Sequence, residues 1–106
     1  MKLNLWYYAM NRESALKMLQ ENIEEIKKFG VKSIGIFGSV ARNEASEKSD
    51  LDVLVEYHEN SLNLDSYMDL KYFLQHLFKC SVDLVTKSSV KPYLKDKIMQ
   101  EVIYAA

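Results

Sequence analysis

The chain is 106 residues long, the usual size of one domain, and its 48% hydrophobic and 27% charged residues are those of an ordinary globular protein, not a disordered or fibrous one. With 14 Lys and Arg against 15 Asp and Glu there is no global positive field for unspecific nucleic-acid binding, and no direct nucleic-acid contact is expected. The single Cys80 excludes an internal disulfide, and the absence of zinc-type Cys/His spacing fits a reducing cytoplasm.

The first ten residues, MKLNLWYYAM, hold an apolar run too short for a signal-peptide core, and nothing nears the roughly 20 apolar residues of a membrane span. They read as an N-terminal extension of a single domain over 1–106, with Leu5, Trp6 and Tyr7 either packing on its body or forming an aromatic partner-binding patch. From Asn11, a fair N-cap, a helical rhythm places Leu16, Leu19, Ile23 and Ile26 on one face until Gly30 ends it. Lys32–Phe37 reads as a strand running into Gly38 and Ser39. A short helix is expected over Val40–Glu44, then a polar loop through Ser49. A second strand follows over Leu51–Glu56, with Leu51, Val53 and Val55 on one face and Asp52, Leu54 and Glu56 on the other.

After a connector, Asp65 is expected to cap a helix carrying Tyr67, Leu70, Phe73, Leu74 and Leu77. Ser81–Thr86 reads as a third strand, and a last helix from Pro92 to Tyr104 turns Leu94, Ile98, Val102 and Ile103 inward. The order predicts an α/β (α+β) fold, a small mixed sheet of about three strands flanked by about four helices.

The chemistry concentrates between Gly38 and Asp52. Glycine where a strand turns into a helix lets the backbone approach a ligand, and the unpaired amides of a helix start suit phosphate. Ten residues after Ser39 come Asp50 and Asp52; residues two apart on a strand project to one side, roughly 6.5 to 7 Å apart, and their carboxylates can converge on a hard cation. Asp83 is the one charged residue inside an apolar strand and joins the same cluster if the second and third strands are neighbours. Three carboxylates beside a phosphate turn fit two-metal phosphoryl transfer. Each feature alone has a plainer explanation: Gly-Ser pairs are common in turns, aspartates cap and solvate loops, and a lone strand charge discourages aggregation. Their ordered combination is the informative signal.

Gly38-Ser39, ten intervening residues and Asp50-x-Asp52, with Ala41-Arg42 and Ser49-Asp50, resemble the signature of the DNA polymerase β-like nucleotidyltransferase superfamily, and the short length is similar to its minimal nucleotidyltransferase (MNT) branch. The resemblance spans about residues 12–105. It implies a nucleotidyltransferase fold, two Mg²⁺ ions held by Asp50, Asp52 and Asp83, and ATP as donor contacted by Gly38, Ser39, Arg42 and Ser49. It further implies an antitoxin that transfers AMP to a tyrosine of a HEPN-domain ribonuclease toxin and forms a hetero-oligomer with it. Asn43 stands where the family often has glycine, and asparagine tolerates a left-handed backbone. An ion pair of Arg42 with Glu44 or Glu47 is the competing role for that side chain.

Two other functions fit the same residues: an antitoxin that neutralises by binding alone, through the aromatic N-terminus and apolar helix faces, and transfer to a small molecule. His58 and His76 are isolated, the seven tyrosines read as amphipathic packing, and Cys80 has no evident base.

Overall fold

The computed structural model describes residues 11–46 and 49–106, so the expectations for the first ten residues lie outside the described part. Two short helices come first, α1 (Arg12–Glu21) and α2 (Ile23–Lys27), where the apolar rhythm predicted one. The break falls at Asn22, whose side-chain amide donates to the Met18 carbonyl at 2.8 Å and so competes with the helix ladder. Asn11 caps α1 as expected, exchanging reciprocal hydrogen bonds with Ser14. Gly30 turns the chain with φ +88°.

Then follow β1 (Val31–Phe37), the single turn α3 (Gly38–Ala41), β2 (Leu51–Tyr57), α4 (Leu64–Phe78), β3 (Val82–Thr86), a 3₁₀ turn (Lys87–Ser89), α5 (Pro92–Glu101) and β4 (Ile103–Tyr104). The strands form one sheet in the order β3-β2-β1-β4, parallel between β2 and β3 and antiparallel elsewhere. The α/β class and the mixed sheet agree with the sequence reading, which fell short by one strand and one helix. α3 stops at Ala41, shorter than the stretch expected from Val40 to Glu44.

Two boundaries differ for physical reasons. The last helix ends at Glu101, and Ile103–Tyr104 leaves it to pair with β1. Gly35 permits this: a Cβ there would stand 2.7 Å from the Ile103 carbonyl oxygen, so only glycine lets the outer strand close in. The β-branched Val102 and Ile103 favour an extended chain once that place exists.

The second boundary is the start of α4, capped by Asn63 instead of Asp65. The Asn63 side chain accepts from the Ser66 amide at 2.8 Å, Ser66 Oγ accepts from the Asn63 amide at 3.0 Å, and Asp65 falls in the first turn. Asn63→Ala is therefore expected to lower stability by about 1 kcal/mol in urea unfolding, a loss that Asp65→Ala should not reproduce.

One face of the sheet carries the core. Ile34 and Ile36 of β1, Leu51, Val53 and Val55 of β2, and Val82 and Leu84 of β3 pack with Leu19, Ile26, Leu70, Leu74 and Phe78 from the helices. The opposite face carries Gly35, Phe37, Asp52, Leu54, Asp83 and Val85, and its Leu54, though buried, takes no part in that cluster. Among the described residues no helix is long and apolar enough to cross a membrane.

Candidate active site

The face away from the core brings the acidic residues together. Strand register aligns Phe37 with Asp52 and Asp52 with Asp83, so the three lie in one row across β1, β2 and β3. Residues paired in a sheet project to the same side, which sets the Asp52 and Asp83 carboxylates next to each other. Asp50 sits just before β2 and is exposed.

Electrostatics registers the crowding. The Asp52 carboxyl is pushed up from its ordinary 3.8 to about 6, first by burial, then by the charges of Asp83 and Asp50; Arg42 opposes the rise and Glu101 adds to it. Burial and the charge of Asp50 likewise raise the pKa of the Cys80 thiol.

Gly38 stands against this row. Its φ is +71°, and a Cβ on it would collide with the Asp52 carboxylate oxygen and stand 2.9 Å from Asp52 Cγ. Only glycine fits there, so β1 can deliver the backbone turn directly beside a strand carboxylate. The half-buried Ser39 opens α3, and its carbonyl accepts from the Glu44 amide at 2.7 Å. Asn43 adopts the left-handed conformation at φ +58°, and its side chain accepts from the Arg12 amide at 2.9 Å. The asparagine thus keeps the turn and also ties it to the start of α1.

Arg42 and Ser49 are both engaged by neighbours. Arg42 Nε donates to Glu44 at 3.1 Å and its Nη1 to Glu101 at 2.9 Å, which realises the expected pair with Glu44 and adds a second from α5. Ser49 Oγ, one residue before Asp50, accepts from the Ser46 amide at 2.9 Å.

Glu101 was not anticipated. Its carboxylate accepts from the Gly38 amide at 3.1 Å as well as from Arg42, fastening the end of α5 to the turn. α5 thereby edges two hollows that share Phe37, Leu94 and Ile98. One, of about 380 Å³, reaches Asp83, Val85 and Tyr93; the other, of about 270 Å³, reaches Gly38, Arg42, Lys97 and Glu101. The four-residue spacing of Lys97 and Glu101 was visible in the sequence, but nothing there said which residues their helix face would meet.

Among the described residues no three His, Cys, Asp or Glu side chains form a ready-made metal cage. The donors nevertheless fit a hard cation: they are all carboxylate oxygens, and their mutual repulsion adds to burial in lifting the Asp52 carboxyl. Mg²⁺ is commonly held by one or two carboxylates together with substrate phosphates, not by protein alone.

A glycine turn set against a row of carboxylates on the face of a small mixed sheet away from its main core is the arrangement of the nucleotidyltransferase class. The profile of the family described as nucleotidyltransferase domain matches residues 16–105. A Methanocaldococcus jannaschii protein, provisionally named a protein adenylyltransferase, is 43% identical over 90 residues, covering 83% of this chain and 91% of its own length. The protein adenylyltransferase MntA of Thermococcus cleftensis is 40% identical over 92 residues, 87% of this chain and 90% of its own. A solved structure provisionally described as a minimal nucleotidyltransferase superposes with a TM-score of 0.77 at 33% identity, over 89% of this chain and 95% of that one. A complex of a tri-AMPylated Shewanella oneidensis HEPN toxin with its MNT antitoxin shares the fold, with a TM-score of 0.63 at 18% identity over 86% of this chain and 71% of that one.

The chain belongs to the nucleotidyltransferase domain family, in the company of minimal nucleotidyltransferases named protein adenylyltransferases, and it is an enzyme of nucleotidyl transfer.

Proposed function

We propose that residues 1–106 form one minimal nucleotidyltransferase domain, a cytoplasmic antitoxin that transfers AMP from ATP to a tyrosine of a HEPN-domain toxin and assembles with it. The observation that carries this reading is the close approach of Gly38 to Asp52, with Asp83 beside Asp52 in register. That arrangement sets a backbone turn suited to phosphate against carboxylates suited to a phosphate-bound cation. The names of its relatives, and the HEPN complex that shares its fold, support a protein acceptor.

In the reaction the acceptor hydroxyl oxygen bonds to the α-phosphorus, the bond from that phosphorus to the β-bridging oxygen breaks, and pyrophosphate leaves. Gly38 and Ser39 orient the triphosphate, while Asp50, Asp52 and Asp83 would hold Mg²⁺. When bound, Mg²⁺ supplies charge stabilisation of the developing oxyanions and a lower pKa for the acceptor hydroxyl. The acceptor proton passes to a carboxylate of the row. Asp83 is best placed for it, because it is exposed and lines the hollow with Val85, Tyr93 and Leu94, an apolar wall suited to an aromatic acceptor.

The test is transfer of label from α-labelled ATP with Mg²⁺ to a cognate HEPN-domain toxin. The expected product is a toxin carrying AMP on tyrosine, identified by mass spectrometry. Absence of label with the true partner, or label on residues other than tyrosine, would overturn the corresponding part of the reading.

A further inference from the structure

We propose that Lys97 is the cation that receives the donor's β- and γ-phosphates. It lies on α5, far in sequence from the Gly38 turn, and lines the same hollow of about 270 Å³ as Gly38 and Arg42. The inference rests on the nucleotidyl-transfer reading and assigns the charge that this reading requires.

A triphosphate entering beside Gly38 meets a hollow whose evident cation is already used. Arg42 brings one positive charge and answers two carboxylates, Glu44 and Glu101, so that group is net negative by one. The Asp52 carboxylate adds further negative potential behind Gly38. The Glu101 carboxylate also accepts from the Gly38 amide, which brings its negative charge to the turn itself.

Lys97 changes this balance. It is exposed, and it makes no ion pair among the described residues, not even with Glu101 one turn further along its own helix. Its ammonium, carried on a flexible stem among the residues that line the hollow, is therefore free to meet an incoming anion. Leu94 and Ile98 wall the hollow on the same helix, and the Glu101 contact to Gly38 and Arg42 fixes how α5 sits against the turn. Lys95, two residues away, lines a separate hollow with Glu56, His58 and Thr86 and serves as an internal control of equal charge.

The experiment is calorimetric binding of a non-hydrolysable ATP analogue, with Mg²⁺, to the full chain. Lys97→Ala is expected to weaken the analogue about 10-fold, the size of a lost charge-assisted contact, and to leave AMP binding within about twofold. Lys97→Arg restores most of the affinity, and Lys95→Ala leaves it unchanged. In transfer assays the same loss appears in KM and not in kcat. Because Lys97 is exposed, an unaltered melting temperature accompanies the change.

Analogue binding by Lys97→Ala within twofold of the parent protein overturns the proposal. So does equal weakening of AMP, which would place Lys97 elsewhere on the nucleotide, and so does failure of the parent protein to bind the analogue at all. Since no toxin is present, Lys97-dependent binding together with absent label transfer would leave this assignment standing and sink the acceptor reading alone.

Discussion

Asp52→Asn is expected to reduce AMP transfer by about 10³-fold or more while making the protein more stable at pH 7. The loss follows from removing the central carboxylate of the row, because charge stabilisation of phosphoryl transfer is worth several kcal/mol. The gain follows from the same residue's discomfort in the folded state. Its carboxyl is pushed up to about 6, so the folded protein binds this proton more tightly than the unfolded chain does.

Protonated Asp52 therefore contributes stability that is fully present below about pH 3.8 and is lost as the pH rises through about 6. At pH 7 that contribution is gone, and the uncharged asparagine avoids the penalty. A shift of this size corresponds to about 3 kcal/mol, but the group is half exposed, and solvent screening brings the expected gain to the order of 1 kcal/mol. Urea unfolding at pH 7 and pH 4 measures it: the variant's advantage should be clear at the first and largely gone at the second. A variant less stable than its parent at pH 7 would contradict the electrostatic account, and retained transfer would contradict the catalytic one.

Gly38→Ala should be nearly as damaging to transfer, by about 10²-fold or more, for a different reason. At φ +71° an alanine costs about 1–2 kcal/mol of backbone strain, and its methyl group would occupy the place of the Asp52 carboxylate. Asp52 can turn aside and relieve the collision, which limits the loss of stability and misplaces the side chain that matters, and small misplacements are costly to catalysis. Gly30→Ala is the matching control, at φ +88° with Ser61 Cβ 2.6 Å from the added methyl and away from the carboxylate row. Both variants are expected to lose comparable stability in urea unfolding, and only Gly38→Ala should lose transfer. If both lost activity equally, the close approach of Gly38 to Asp52 would have no special role.

Much of the site is legible in the chain itself because its parts are local. A strand, a glycine turn, a short helix and alternating aspartates each follow from neighbouring residues, and the left-handed backbone of Asn43 agrees with its standing where the resembled family often has glycine. The helix divided at Asn22, the cap at Asn63 and the ending at Glu101 are less legible, because in each case competing local preferences are nearly balanced. Asn63 and Asp65 are both good caps, and the choice falls to the one whose partner three residues on is Ser66. Val102 and Ile103 could continue a helix until β1, remote in sequence and opened at Gly35, offers Ile103 and Tyr104 a strand to pair with.

By itself, then, the sequence determined which residue types make up the candidate site and that Gly38, Asp50 and Asp52 share one short segment, since side-chain direction along a strand and backbone freedom at glycine are local properties. Only the tertiary structure decided that Asp83 stands beside Asp52, that Glu101 grips the Gly38 turn, and that Lys97 is left facing the same hollow. Those placements depend on the parallel register of β2 with β3 and on how α5 folds back along the sheet. The register is set by burial of the core that the strands share with α1, α2 and α4, and the position of α5 by the Glu101 contacts to Gly38 and Arg42 and by the pairing of β4 with β1; no single segment encodes either.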